Sequence, residues 1–241
     1  MTFEELANKI KIFADGANVE LMKKQNANPL IKGFTSNPSI MKRDGVKSYK
    51  EFSNTLLSFI KEKSLSFEVF SDDMENMEKE ALEIASWAKN VAVKIPIINS
   101  KGESTSELIK RLSLKGVNIN VTAIFTIEQV KSVIDCFSPN TQNIISIFAG
   151  RIADSGVDPI PTMKEAVELS KKYNNIEILW ASPREVYNAI QAADCGVHII
   201  TCDSGTIDKM MKMGAKLEDL SLDTVKTFVK DTAILGFSVF E

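Results

Sequence analysis

The stretch Val91-Ala92-Val93-Lys94-Ile95-Pro96-Ile97 decides the fold. Its apolar, β-branched run is too short for a stable helix and reads as a buried strand carrying a single lysine. Working outward, comparable runs lie at 10–14, 30–35, 66–70, 117–122, 143–148, 176–181 and 197–201, each closing in turn or polar residues. With 91–95 they make eight candidate strands. Segments with helical spacing fall between and after them, at 49–63, 74–89, 103–115, 127–135, 163–173, 184–193, 204–213 and 222–234. Parallel strands need crossover connections of about a dozen residues. Near-unbroken alternation therefore predicts an α/β protein with one (β/α)8 TIM barrel, residues 1–241 forming a single domain; an open doubly wound sheet is the alternative.

Composition agrees with an ordinary globular chain: 241 residues, 44% apolar and 25% charged, without low-complexity tracts or tandem repeats. The 29 basic and 32 acidic residues leave a net charge of −3, so there is no general basic field for nucleic acid or an anionic membrane. Any anion site must be local. Cys136, Cys195 and Cys202 form an odd set with no C-x-x-C pair, which argues against a disulfide framework or a thiolate metal site and suits a cytoplasmic setting. The opening MTFEELANKI has no basic n-region, and no apolar run reaches membrane-spanning length. His198 is the one histidine, so an enzyme of this sequence would draw its acid and base from other side chains.

Barrel enzymes place their chemistry at the C-terminal ends of the strands. The polar residues there are Asp15, Asn37, Glu68, Lys94, Asn120, Thr122, Ser146, Arg151, Ser182 and Arg184. Lys94 stands out, because desolvation disfavours an ammonium and can supply the neutral amine that forms a Schiff base with a carbonyl. An outward lysine snorkelling between helices is the bland alternative. Asp15, Glu68 and Thr122 could do the accompanying proton work. Equally, Asp15 or Thr122 could cap a helix, and Glu68 could pair with a lysine on a neighbouring strand. Arg151 and Arg184, each with a serine shortly before it, suggest a phosphate cradle, against the alternative of two surface ion pairs. No P-loop or GxGxxG fingerprint is present.

From about Phe13 to Thr201 the chain also resembles the transaldolases, and more closely their short single-barrel branch that includes fructose-6-phosphate aldolases. The resemblance is carried by Phe13-Ala14-Asp15-Gly16-Ala17, Gly33-Phe34-Thr35-Ser36-Asn37-Pro38-Ser39, Val93-Lys94-Ile95-Pro96, Asn120-Val121-Thr122, Ser146-Ile147-Phe148-Ala149-Gly150-Arg151 and Ala181-Ser182-Pro183-Arg184. Each motif alone is weak; their order on successive strand ends is specific.

The resemblance implies that Lys94 is the Schiff-base lysine, that Asp15 is the acid/base on sugar hydroxyls, and that Glu68 and Thr122 hold a catalytic water. It implies substrate-binding roles for Thr35 and Asn37 of the second motif, for Asn120, Ser146 and Phe148, and, at the phosphate, for Arg151, Ser182 and Arg184. It further implies no cofactor and no metal, sugar phosphates as small-molecule partners, and a homo-oligomer, pentamer or decamer, assembled through terminal helices. Glu68 and Phe148 resemble true transaldolases, whereas the aldolases tend to carry glutamine and tyrosine at those positions. Phe34, Ser36 and Pro183 depart from the usual motifs. A fructose-6-phosphate aldolase and a catalytically silent sugar-phosphate-binding barrel are the competing expectations.

Overall fold

The computed structural model describes residues 1–240. In chain order the elements are α1 (Phe3–Ala7), β1 (Lys11–Asp15), α2 (Val19–Asn26), β2 (Ile31–Thr35), α3 (Pro38–Arg43), α4 (Tyr49–Phe59), β3 (Ser64–Glu68), α5 (Met74–Ser86), β4 (Val91–Pro96) and α6 (Ser106–Leu114). They continue as β5 (Ile119–Ile124), α7 (Ile127–Ile134), β6 (Asn143–Ile147), α8 (Ala149–Asp154), α9 (Ile160–Ser170), β7 (Ile176–Trp180), α10 (Tyr187–Asp194), β8 (Ile199–Asp203), α11 (Ser204–Met210) and α12 (Leu217–Leu235). The strands pair in parallel in the order β1 to β8, and β8 closes back on β1 with Asp15 opposite Asp203. This is a single (β/α)8 TIM barrel.

All eight predicted strands are present, with ends displaced by up to two residues. β3, β5 and β8 are each shifted by two residues at both ends, and β3 runs Ser64–Glu68 rather than 66–70. Phe70 lies in the following loop, exposed but stacked on Tyr49 at 4.5 Å, so its apolar character served a loop contact instead of the sheet. Helices α1, α3 and α8 were not anticipated, and α2 was expected only as a helix that Asp15 could cap; it reads VELMKKQN, buries only Met22 and shows little apolar stripe. Local chemistry nonetheless marks several helix starts. Thr2, Asn18, Asn37, Ser48, Asp73, Thr126 and Asp203 each accept a backbone N–H of the first helical turn.

Two apolar clusters follow from strand alternation. The larger lies between the sheet and the helices and includes Ile12, Phe34, Phe67, Val93, Ile95, Ile119, Val121, Ile145, Ile178 and Ile200. The smaller, Phe13, Ile144, Leu179, Ala181 and Ile199, fills the lumen. Phe13 and Ile144 face the N-terminal mouth, while Leu179 and Ala181 floor a cavity at the C-terminal mouth. Gly33 is part of this plug, because a Cβ there would fall 2.5 Å from the Phe13 ring.

The helix α12 differs from all of this. None of its residues is buried, and Leu217, Val225, Phe228, Val229, Ile234 and Leu235 are exposed, followed by Phe237, Val239 and Phe240. Among the described residues no helix is long and apolar enough to cross a membrane.

Candidate active site

Seven of the eight strands, all but β7, supply a polar cluster at the C-terminal mouth. Lys94 points inward and is only 5% exposed, which removes the snorkelling alternative. Register places Glu68 of β3 opposite Lys94 of β4, and the Glu68 carboxylate lies 3.0 Å from Lys94 Nζ. Lys94 Nζ also donates to the carbonyl of Ser36 at 2.7 Å. Two of the ammonium's three N–H groups are thereby held, on the wall of a cavity of about 70 Å³ that also exposes Asp15, Thr35, Asn37, Thr122 and Ser146. The expected pairing of Glu68 with a neighbouring-strand lysine is thus real, and the lysine is the one singled out for chemistry.

Asp15 caps no helix; Asn18 does that for α2. Its carboxylate accepts from Thr35 Oγ1 at 2.7 Å, and Thr35 Oγ1 lies 2.6 Å from Thr201 Oγ1. Burial pushes the Asp15 carboxyl above its ordinary value, opposed by the Lys94 charge and the Thr35 hydrogen bond. A carboxyl raised in this way and facing the lysine is suited to proton transfer.

Thr122 also caps nothing, since Thr126 begins α7. The β5–β6 register shifts between Val121 and Ile124, and Ala123 takes a left-handed φ of 59°. This irregularity re-aims the strand end at the mouth. Thr122 Oγ1 is buried without a hydrogen-bond partner and lines the cavity. A buried unpaired hydroxyl is costly, and a water held against it would satisfy it.

Asn37 uses its Oδ1 to cap α3 through Ile40 N at 3.0 Å, leaving its amide N–H groups for the cavity it lines. Asn120 sits deeper and does not line the cavity. Its amide donates to Ser66 at 3.1 Å and its carbonyl accepts from Ser146 at 2.6 Å, so one end is anchored on β3 and the other holds Ser146. Having donated its proton, Ser146 faces the cavity as an acceptor.

The opposite rim holds Phe148, Arg151 and Ser182, which all line the cavity, with Arg151 lying 5.0 Å from the Phe148 ring centre. Arg184 is the exception among the expected phosphate groups. It does not line the cavity; its Nε and Nη2 donate to the Asp154 carboxylate, the former at 3.1 Å. Gly150 is required here, because a Cβ would collide with the Ser182 carbonyl, and Ser182 itself has a left-handed φ of 63° before Pro183.

Thr201 lines the cavity and was missed in the sequence reading, as were Ser36, through its carbonyl, and Asp154. A signal for Thr201 existed: it closes the eighth candidate strand as Thr35 and Thr122 close the second and fifth. Ser36 and Asp154 act from a loop and a short helix, where alternation gives no guide.

Fold and site define a (β/α)8 barrel protein with a buried lysine and a raised carboxyl at its C-terminal mouth. The chain belongs to the Transaldolase/Fructose-6-phosphate aldolase family, whose model matches residues 12–239. It is 32% identical over 204 residues to a protein of Dehalococcoides mccartyi named "Probable transaldolase", covering 84% of this chain and 91% of that one. A Streptococcus agalactiae protein of the same name is 31% identical over 223 residues, covering 92% and 97%. A solved structure described as a "putative fructose-1,6-biphosphate aldolase" from Coccidioides immitis superposes with a TM-score of 0.53 at 8% identity, over 88% of this chain and 84% of that one, a likeness of fold alone.

Proposed function

We propose that the protein is a transaldolase that moves a dihydroxyacetone unit from a ketose phosphate, such as sedoheptulose 7-phosphate or fructose 6-phosphate, to an aldose phosphate, such as glyceraldehyde 3-phosphate or erythrose 4-phosphate. The observation that carries this reading is Lys94, buried at the mouth, 3.0 Å from the Glu68 carboxylate and sharing a cavity with Asp15. Glu68 accepts a proton from Lys94, and the neutral amine attacks the ketone. Loss of water gives an iminium ion. Asp15 takes the C4 hydroxyl proton, the C3–C4 bonding pair flows into the iminium, and an aldose phosphate leaves. The enamine on Lys94 then attacks the acceptor aldehyde, and hydrolysis frees the new ketose. Glu68 and Thr122 hold the water that relays protons, which accounts for the unpartnered Thr122 hydroxyl.

Phe148 favours transfer over release. It offers no hydroxyl to protonate the enamine, so the three-carbon unit waits for an acceptor. The reading predicts a three-carbon adduct on Lys94 after incubation with fructose 6-phosphate and sodium borohydride, measured by intact mass and peptide mapping. A folded protein giving no adduct with several ketose phosphates would overturn it in favour of a silent binding barrel. Release of free dihydroxyacetone at full rate without acceptor would make it an aldolase.

The exposed apolar face of α12 supports a homo-oligomer, pentamer or decamer, in which that helix packs on a second copy. A monomeric mass by light scattering would refute the assembly without touching the chemistry.

A further inference from the structure

The two rim arginines are in different electrostatic states. Arg151 lies against the Phe148 ring and lines the cavity, with no carboxylate partner among the described residues. Arg184 gives one edge of its guanidinium to both oxygens of Asp154. Asp154 lies on α8 three residues after Arg151, so one short helix carries one cation and the carboxylate that occupies the other. The backbone beneath Arg184 is fixed: its N–H donates to Asn188 Oδ1 at 2.7 Å, and the Ser182 carbonyl packs against Gly150. The side chains are not. Arg184 is 46% and Asp154 52% exposed, and an ion pair of that exposure is weak, so it exchanges readily.

We propose that Asp154 is the resting counter-ion of Arg184, displaced by the substrate's phosphate, and that it thereby sets how much negative charge a ligand must carry to complete the site. This rests on the phosphate reading of the rim. While Asp154 holds Arg184, only the charge of Arg151 is unspent. A monoanion is satisfied by Arg151 and leaves the pair intact. A phosphate dianion engages both guanidiniums, repels the Asp154 carboxylate into water and draws Arg184 to the cavity. Asp154 is a specificity-determining residue in this scheme and touches no reacting atom.

The test is calorimetric titration of wild type and Asp154→Asn with inorganic phosphate at about pH 8, where the dianion dominates, and with acetate as the monoanion. Side-chain ¹⁵N spectra of the arginine Nε–H groups are recorded alongside. Asp154→Asn should bind phosphate about threefold to fivefold tighter, the range set by a surface ion pair. It should also widen the preference for phosphate over acetate, because acetate leaves the pair intact and gains nothing from the loss of the displaced carboxylate. In wild type, saturating phosphate should move the Arg184 Nε–H signal to the position it takes in phosphate-bound Asp154→Asn. Unchanged or weaker phosphate binding in that variant would overturn the exchange. Arg151→Met separates the two readings. If it loses phosphate while Asp154→Asn changes nothing, the rim binds phosphate and the exchange alone fails. If wild type binds no phosphate, or if Arg151→Met and Arg184→Met both bind it as wild type does, the phosphate reading fails and the exchange with it.

Discussion

The two sides of the barrel mouth are built differently. On the β1–β5 side, Asp15, Thr35, Glu68, Lys94 and Thr122 are largely buried, and all but Thr122 are locked to one another or to the backbone. On the β6–β8 side, Arg151 rests on an aromatic ring and Arg184 on a half-exposed carboxylate. Charge held in a low-dielectric, fixed setting acts strongly on bonds that form and break. Charge held near solvent adapts to whatever anion arrives. The first side suits covalent chemistry and the second suits anchoring, and removing residues from each should give different kinetic signatures.

The largest effect is expected at Lys94. Lys94→Ala should lower turnover by about 10⁴-fold or more, the scale for deleting a covalent nucleophile, and abolish borohydride trapping. Asp15→Asn should lower kcat by about 10²- to 10⁴-fold. Because burial raises the Asp15 carboxyl above its ordinary 3.8, wild-type kcat should fall on acidification at a pH above that value, as the carboxylate that accepts the proton is lost. A pH profile of Asp15→Asn should lack that limb. An unchanged acid limb would assign it to another group.

Anchoring-side substitutions should act on KM. Arg151→Met should raise KM for phosphorylated substrates by about 10- to 100-fold, the range for a charge-assisted hydrogen bond, with kcat little changed. A fall in kcat with KM preserved would erase the contrast between the two sides. The smallest effect is expected at Thr122. Thr122→Val removes a buried hydroxyl that has no protein partner, so the melting temperature should hold or rise slightly while kcat falls by about 2- to 10-fold. A drop in stability would mean that the hydroxyl has a structural partner after all.

Much of this was legible along the chain. Short apolar runs alternating with helical spacing are a local pattern, and closure into a parallel barrel follows from the count of such units. Inward polar residues at strand ends, Lys94 above all, announce themselves because alternation places them where an apolar residue is expected. Helices such as α2 and α3 were illegible from periodicity for the converse reason. At least half of their residues are polar, each buries a single methionine, and tertiary packing rather than periodicity holds them. The helical spacing of 222–234 was visible in the sequence, but only the folded chain shows that the barrel has no place for its apolar residues.

The sequence by itself therefore determined the architecture and the side chains carried to the mouth, since both depend on patterns a few residues long. The tertiary structure decided which of them meet. Thr35 and Thr201 are 166 positions apart and reach 2.6 Å only because β8 closes on β1. Lys94 meets Glu68 through the β3–β4 register, and Arg184 turns aside to an aspartate 30 positions away. Such distances are fixed by strand register and barrel closure, properties of the closed sheet that no local stretch of chain contains.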